Sequence, residues 1–210
     1  MIGSAAKRAL NAIHGGLIFR RRVEVLAQLL ADMLPAGPGR VLDLGCGDGQ
    51  VALALMRRRP ELEVEGTDVL VRPTTHIKVT RYDGTVLPFA ENSFDHVTMV
   101  DVLHHTDDPA AVLAEAARVA RSSVLVKDHL RRGWLDGPTL RLMDWVGNRG
   151  HDVRLPYNYL DAAGWSGAFA RAGLAEAKRS DRLGLYPPPL DWLFGRRLHF
   201  ISRLRGADLR

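Results

Sequence analysis

One cysteine, Cys46, occurs in 210 residues. A lone thiol excludes an intrachain disulfide and a cysteine-rich zinc site. It also suits a reducing compartment, so a cytoplasmic protein is expected. No apolar run reaches the roughly 20 residues that a membrane-spanning helix needs. Acid is missing from the start: none precedes Glu24, whereas Lys7, Arg8, Arg20, Arg21 and Arg22 all lie in that stretch. The stretch also lacks the long apolar core and small-residue cleavage site of a secretory signal. Leu10, Ile13, Leu17 and Ile18 fall on one helical stripe, interrupted by Gly15-Gly16. The spacing predicts a basic amphipathic helix that docks on the domain, covers its site as a lid, acts as a targeting segment or makes weak contact with a membrane surface. The rest of the composition, 46% hydrophobic and 25% charged with a net charge of +5, is that of one globular domain with a real core.

The most informative stretch is Val41-Leu42-Asp43-Leu44-Gly45-Cys46-Gly47-Asp48-Gly49-Gln50. It reads as a buried strand running into a glycine-rich turn and then a helix from about Gln50. Without Cβ atoms the turn can bend sharply and come close to a ligand, with its amides and the helix N-terminus facing that ligand. The pattern is G-x-G-x-G rather than the G-x-G-x-x-G of a dinucleotide fingerprint, whose third glycine seats the helix one position later. Leu62 to Asp68 alternates like a strand and ends on an acid about 20 residues past the glycines, where a carboxylate can accept from both ribose hydroxyls.

In chain order the periodicity predicts a helix over Val23–Leu34, the glycine-turn strand, a helix over Gln50–Arg59 and strands at Leu62–Asp68, Ile77–Tyr82 and Ser93–Asp101. Helix one is expected to bury Val51, Leu53, Ala54 and Leu55. Only Val69 to His76, with Pro73 in the middle, separates the second and third strands, too little for a full crossover helix. A helix over Pro109–Ala120, a buried strand over Ser123–Lys127, helices over Arg131–Asn148 and Ala162–Ala172 and strands near Ala175–Arg182 and Leu198–Leu204 follow. Such alternation gives an α/β, doubly wound, Rossmann-like sheet, with ligands at the carboxyl ends of its strands. Lys127, Asp128 and His129 end the fifth strand there. His129 is a candidate proton acceptor oriented by Asp128, and a strand-end salt bridge is the plainer use of these residues. His104-His105 follows the fourth strand. Two adjacent histidines are too few for a metal site and no metal is expected, although Asp101 and Asp128, at neighbouring strand ends, could hold a divalent ion against a diol.

The G-x-G-x-G turn with Asp43 two residues before it resembles motif I of the class I S-adenosylmethionine-dependent methyltransferases. The resemblance runs well over residues 38 to 130 and loosely beyond. Ser93 to Pro109 is similar to the corresponding segment of small-molecule members of the quinone- and lipid-methylating type. It implies a seven-stranded sheet, mostly parallel, closed by an antiparallel C-terminal hairpin. It implies S-adenosyl-L-methionine as cofactor, held by Asp43, Gly45, Cys46 and Gly47 at the turn, Asp68 and Val69 at the ribose, Asp83 and Gly84 at the adenine, and Asp101 and Val102 along the methionine part. It divides the chain into an N-terminal helical lid or docking segment, 1–37, and a methyltransferase domain, 38–210. An acceptor-pocket insertion at about 131–160 includes His151, Tyr157 and Tyr159. His129, Asp128 and His105 are the catalytic candidates.

The expected activity is methyl transfer to O, N or C of a small acceptor, with lipid-like or aromatic molecules in view. The Asp/Asn-Pro-Pro-aromatic motif of amino-methylating enzymes is absent at the fourth strand, where Val100-Asp101-Val102-Leu103 stands, and no aromatic-basic stacking platform is visible, so no nucleic-acid partner is expected. The alternative is a non-catalytic protein that binds S-adenosylmethionine on the same fold. A nicotinamide oxidoreductase would need the displaced glycine.

Overall fold

The structure, a computed structural model, describes residues 4–147, 156–188, 191–195 and 197–206, with the side chains of 4–15, 17, 145–147 and 193 outside that description. The chain runs α1 (Ser4–Met33), β1 (Gly39–Leu44), α2 (Gln50–Arg58), β2 (Leu62–Asp68), β3 (Val79–Arg81), β4 (Phe94–Val100), a short 3₁₀ turn (Leu103–His105) and α3 (Pro109–Val119). It continues through β5 (Ala120–His129), α4 (Asp136–Gly147), α5 (Ala162–Arg171), β6 (Leu174–Ser180) and β7 (His199–Gly206), with a single π-helical turn at Asp191–Gly195. The seven strands form one sheet in the order β3-β2-β1-β4-β5-β7-β6. Strands β1 to β5 pair in parallel, and β7 lies antiparallel between β5 and β6.

Helices cover both faces, so the central strands read as continuous apolar runs rather than alternating ones. Val41 to Leu44 are all buried. On one face Leu113, Ala116, Trp165 and Phe169 from α3 and α5 pack with Leu42, Val97, Val124 and Phe200. On the other, Leu26, Leu30, Met33 and Leu55 from α1 and α2 pack with Val41, Leu62, Leu125 and Ile201. The C-terminal half of α1 is thus part of the core. Asp108 caps α3 by accepting from the Ala110 amide, and Pro109 occupies the first turn, where a missing N–H costs nothing.

Several elements differ from the sequence expectation. Helix α1 continues through Gly15-Gly16 instead of breaking there; each glycine costs a helix only about 1 kcal/mol, so a pair lowers stability without stopping it. Helix α2 buries Ala52, Ala54 and Leu55, leaving Val51 and Leu53 half-buried. Strand β5 extends to His129 because Lys127, Asp128 and His129 pair with Ile201, Phe200 and His199 of β7, a contact no local pattern announces. Helix α4 begins at Asp136, whose carboxylate accepts from the Arg132 and Gly133 amides and closes a turn ahead of the helix. Within it Leu140 is buried and Leu142 exposed, while the side chains of Trp145 and Val146 and all of His151 lie outside the described residues. Residues 69 to 78 contain no helix, as the short spacing predicts.

Candidate functional site

Strand β1 delivers the chain to the point where the strand order reverses between β1 and β4, the crevice where open α/β sheets bind ligands. The turn begins with the Gly45 amide donating to Thr67 O at 2.7 Å. Gly45, Gly47 and Gly49 all have positive φ. A Cβ on Gly45 would stand 2.4 Å from Val102 Cγ2, so the β1 turn and the turn after β4 are in direct contact. Gly47 has nothing within 4 Å of its would-be Cβ and faces open space. Asp68 closes the turn from β2: its Oδ2 accepts from the Gly47 amide at 2.8 Å and its Oδ1 from the Leu70 amide at 2.9 Å. The Cys46 thiol packs against Gly66 of β2, and burial pushes its pKa up, so the residue offers its backbone rather than a reactive sulfur. Asp43 lies beneath the turn, 4% exposed, accepting from Thr98 Oγ1 at 2.9 Å. Burial raises its pKa to about 7, outweighing the Thr98 hydrogen bond.

Beyond Asp68, a Cβ on Gly84 would come within 3.4 Å of Val69, which brings the end of β2 beside the loop after β3. Asp83 is exposed, and its Oδ1 accepts from the Thr85 and Val86 amides and the Thr85 hydroxyl. The carboxylate therefore organises a local turn, and those bonds hold its pKa below the usual range. Val69, Leu70 and Val71 remain exposed next to it.

Across Val102, polar side chains from five elements close into a buried cluster. Asp101, at φ 58, accepts from Lys127 Nζ at 2.5 Å through Oδ1 and from Arg22 of α1 through Oδ2. Lys127 is fully buried, and His199 Nδ1 lies 3.4 Å from its Nζ. Asp128 Oδ1 contacts His104 Nδ1 at 2.7 Å and accepts from the His129 amide, while its Oδ2 accepts from the Leu103 amide at 3.0 Å. Asp128 therefore serves His104 more closely than it serves His129, whose Nδ1 is 3.4 Å away. His104 Nε2 faces Asp144 Oδ2 at 3.3 Å without the alignment of a hydrogen bond, and Tyr159 donates to Asp144 at 2.5 Å. Burial disfavours a charged His104, yet Asp128 and Asp144 lift its pKa to about 10. Burial, reinforced by His104, lowers His129, and the same causes lower His105 to about 4. His105 Nδ1 is buried without a hydrogen-bond partner. Tyr159 also lines a cavity of about 760 Å³ with Arg131, Arg132, Trp134, Arg141 and Tyr157.

Residues 42–126 match the family described as a methyltransferase domain. Over that stretch the chain is similar to the S-adenosylmethionine-dependent methyltransferases. It is similar to the ubiquinone/menaquinone biosynthesis C-methyltransferase of Desulfotalea psychrophila, 30% identical over 57% of this chain and 55% of that protein. It is also similar to the ribosomal RNA small subunit methyltransferase C of Shewanella sediminis, 38% identical over 31% of this chain but 19% of that protein. The chain thus spans about half or less of the curated relatives it matches. The fold matches a solved S-adenosylmethionine-dependent methyltransferase, described as a possible histamine N-methyltransferase, from Thermotoga maritima (TM-score 0.66, 21% identity, 94% and 96% of the two chains).

The methyltransferase family's cofactor is S-adenosylmethionine, and the residues present fit it. The open side of Gly47, the Asp68 carboxylate two hydrogen bonds away from full use, and the exposed Val69–Val71 surface are what a charged, ribose-bearing and flat-based molecule requires. The cradle residues named from sequence, Asp43, Gly45, Cys46, Gly47, Asp68, Val69, Asp83, Gly84 and Val102, lie along one strand edge. Asp101 shares the edge but turns its carboxylate to Lys127 and Arg22. Arg22, Asp144 and His199 were missed as site residues. Arg22 reads as one of three surface arginines, and Asp144 and His199 reach the cluster through residues at least 15 positions away along the chain, so no local signal marks them.

Proposed function

We propose that this methyltransferase transfers a methyl group to O, N or C of a small-molecule acceptor, with nucleic acid outside its substrates. Bound S-adenosylmethionine supplies a sulfonium-activated methyl group. Asp68 would accept from the ribose hydroxyls, Val69, Asp83 and Gly84 would border the base, and the turn from Gly45 to Gly47 with Asp101 and Val102 would border the amino-acid end. The observation that carries the acceptor class is the cavity of about 760 Å³, which shares Tyr159 with the buried cluster and so adjoins the strand edge beside the cradle. Its size suits a small molecule. Its three arginines and its Trp134, Tyr157 and Tyr159 rings favour a flat acceptor carrying negative charge.

The chain's own tasks are to align nucleophile and methyl, exclude water and accept a proton where oxygen or nitrogen attacks. Of His129, Asp128 and His105, the first two are engaged with His104 and position the site. His105 is the one with an unpartnered ring nitrogen. Calorimetry with S-adenosylhomocysteine tests the cofactor half: micromolar binding, sharply weaker in Asp68→Ala and absent for NAD, is expected. No binding would remove the reading, including the alternative of a non-catalytic S-adenosylmethionine binder. Labelled methyl transfer, offered separately to small-molecule extracts and total RNA, tests the acceptor half. Labelled RNA would overturn the small-molecule assignment.

A further inference from the structure

We propose that Asp101, His104, Asp128 and His129 form a zinc-type divalent metal site that fastens the ends of β4 and β5 to the 3₁₀ turn between them. This revises the sequence expectation of no metal, which weighed the adjacent histidines and the Asp101–Asp128 pair separately and found too few ligands in each. The fold supplies what that count lacked. One oxygen or nitrogen from each of the four residues lies within 4.8 Å of all the others.

The separations are those of a ligand set. Metal–ligand bonds of about 2.0–2.1 Å place tetrahedral ligand atoms about 3.4 Å apart. His104 Nδ1 and His129 Nδ1 are 3.3 Å apart, and His129 Nδ1 and Asp128 Oδ1 are 3.4 Å apart. His104 Nδ1 and Asp128 Oδ1 are closer, at 2.7 Å, and Asp101 Oδ1 stands 3.9 Å from His129 Nδ1. The two imidazole nitrogens and the Asp128 oxygen thus form a triangle with sides of 2.7, 3.3 and 3.4 Å, whose short side, a hydrogen bond here, would open around an ion. Two imidazoles with two carboxylates select a zinc-type ion over magnesium or calcium, which prefer all-oxygen shells.

The surroundings carry a second, independent sign. Metal-bound histidines commonly present their other ring nitrogen to a carboxylate, which fixes the ring. Asp144 stands behind both rings, 3.3 Å from His104 Nε2 and 3.9 Å from His129 Nε2, and is itself held by the Tyr159 hydroxyl. The Leu103 amide holds the other oxygen of Asp128, and Lys127 and Arg22 hold Asp101. Among the described residues the cluster therefore sets three carboxylates, Asp101, Asp128 and Asp144, against two permanent side-chain cations, Arg22 and Lys127. The charge of the third carboxylate falls to the paired imidazoles, where either a proton between His104 and Asp128 or a bound cation meets it. Four protein ligands and near-complete burial describe a closed site, which holds structure rather than activating water. Its neighbour Val102 packs on Gly45, so the ion would brace the turn against which the cofactor cradle closes.

The test uses the full chain, stripped with chelator and dialysed against Zn²⁺ or Co²⁺. Expected are one metal equivalent per chain, a tetrahedral Co²⁺ absorption spectrum and a rise in Tm on adding Zn²⁺. His104→Gln and His129→Gln should each lose the stoichiometric ion, and Asp144→Asn should weaken it about 10- to 100-fold. Wild-type protein that retains no ion and shows neither the Co²⁺ spectrum nor the Tm rise would overturn the proposal, whether or not the variants fold. So would undiminished binding in folded His104→Gln and His129→Gln. The site stands on this geometry apart from the proposed activity. Calorimetry with S-adenosylhomocysteine on the same preparation therefore separates a failed metal site from a failed cofactor assignment.

Discussion

Asp43 is a carboxylic acid buried under the glycine turn after β1, with one hydroxyl for company. Burial is the leading cause of its raised pKa, with the nearby Asp68 charge adding to it. A folded pKa of about 7 above an unfolded value of about 3.9 means that the native state holds the extra proton. The contribution is therefore fully present below about pH 4 and is lost as pH rises toward 7, at up to about 1.4 kcal/mol per pH unit. His96, buried and lowered by desolvation, acts with the opposite sign below its unfolded value, so the wild-type curve alone would mix the two. The difference in unfolding free energy between wild type and Asp43→Asn isolates the aspartate. That difference should shrink and then favour the asparagine variant as pH rises from 4 to 7. Parallel curves would mean that Asp43 titrates normally.

At the scale of elements, α1 shows how a local reading and a tertiary one part company. Its basic N-terminal stretch suggests a detachable segment. From Val23 onward, however, Leu26, Leu30 and Met33 fill the core with β1, β2 and β7, and Arg22 ties the helix to the Asp101–Lys127 pair. Leu30 is 1% exposed, and truncating such a side chain removes its transfer free energy and leaves a cavity. Leu30→Ala should lower unfolding stability by about 2–5 kcal/mol, read by urea denaturation. Exposed Leu142 should tolerate the same change within about 0.5 kcal/mol. Equal effects at the two positions would mean that α1 does not pack on the sheet.

At the scale of the whole molecule, the proposed cofactor cradle and the buried cluster meet where Val102 packs on Gly45, beside the pairing of β1 with β4. The cradle joins β1, β2 and the loop after β3, whereas the cluster joins β4, β5, β7, α1 and α4. A ligand in the cradle should therefore stabilise the chain as one unit. S-adenosylhomocysteine at 100 times its Kd is worth about 2.7 kcal/mol to the native state. For a chain of this size that corresponds to a rise in Tm of roughly 5–10 °C. Differential scanning calorimetry should show one shifted transition, and two transitions with only one shifted would show that the halves unfold separately.

The sequence by itself determined the architecture and pointed to the proposed cofactor cradle. Both are written in short-range patterns: apolar strand runs, helical stripes, a G-x-G-x-G turn and an acid at a fixed distance along the next strand. Such signals survive without the partner elements, because they reflect what the backbone can do within about 20 residues. Tertiary structure alone decided the buried polar cluster. Pairing of β5 with β7 turned Lys127-Asp128-His129 from a strand end into buried strand. The sheet order then brought Asp101, His104 and Arg22 around them, and α4 added Asp144 from behind. Each of these contacts joins residues with no shared local period, and their charges are tolerable under burial only because the fold supplies the opposite charge within reach.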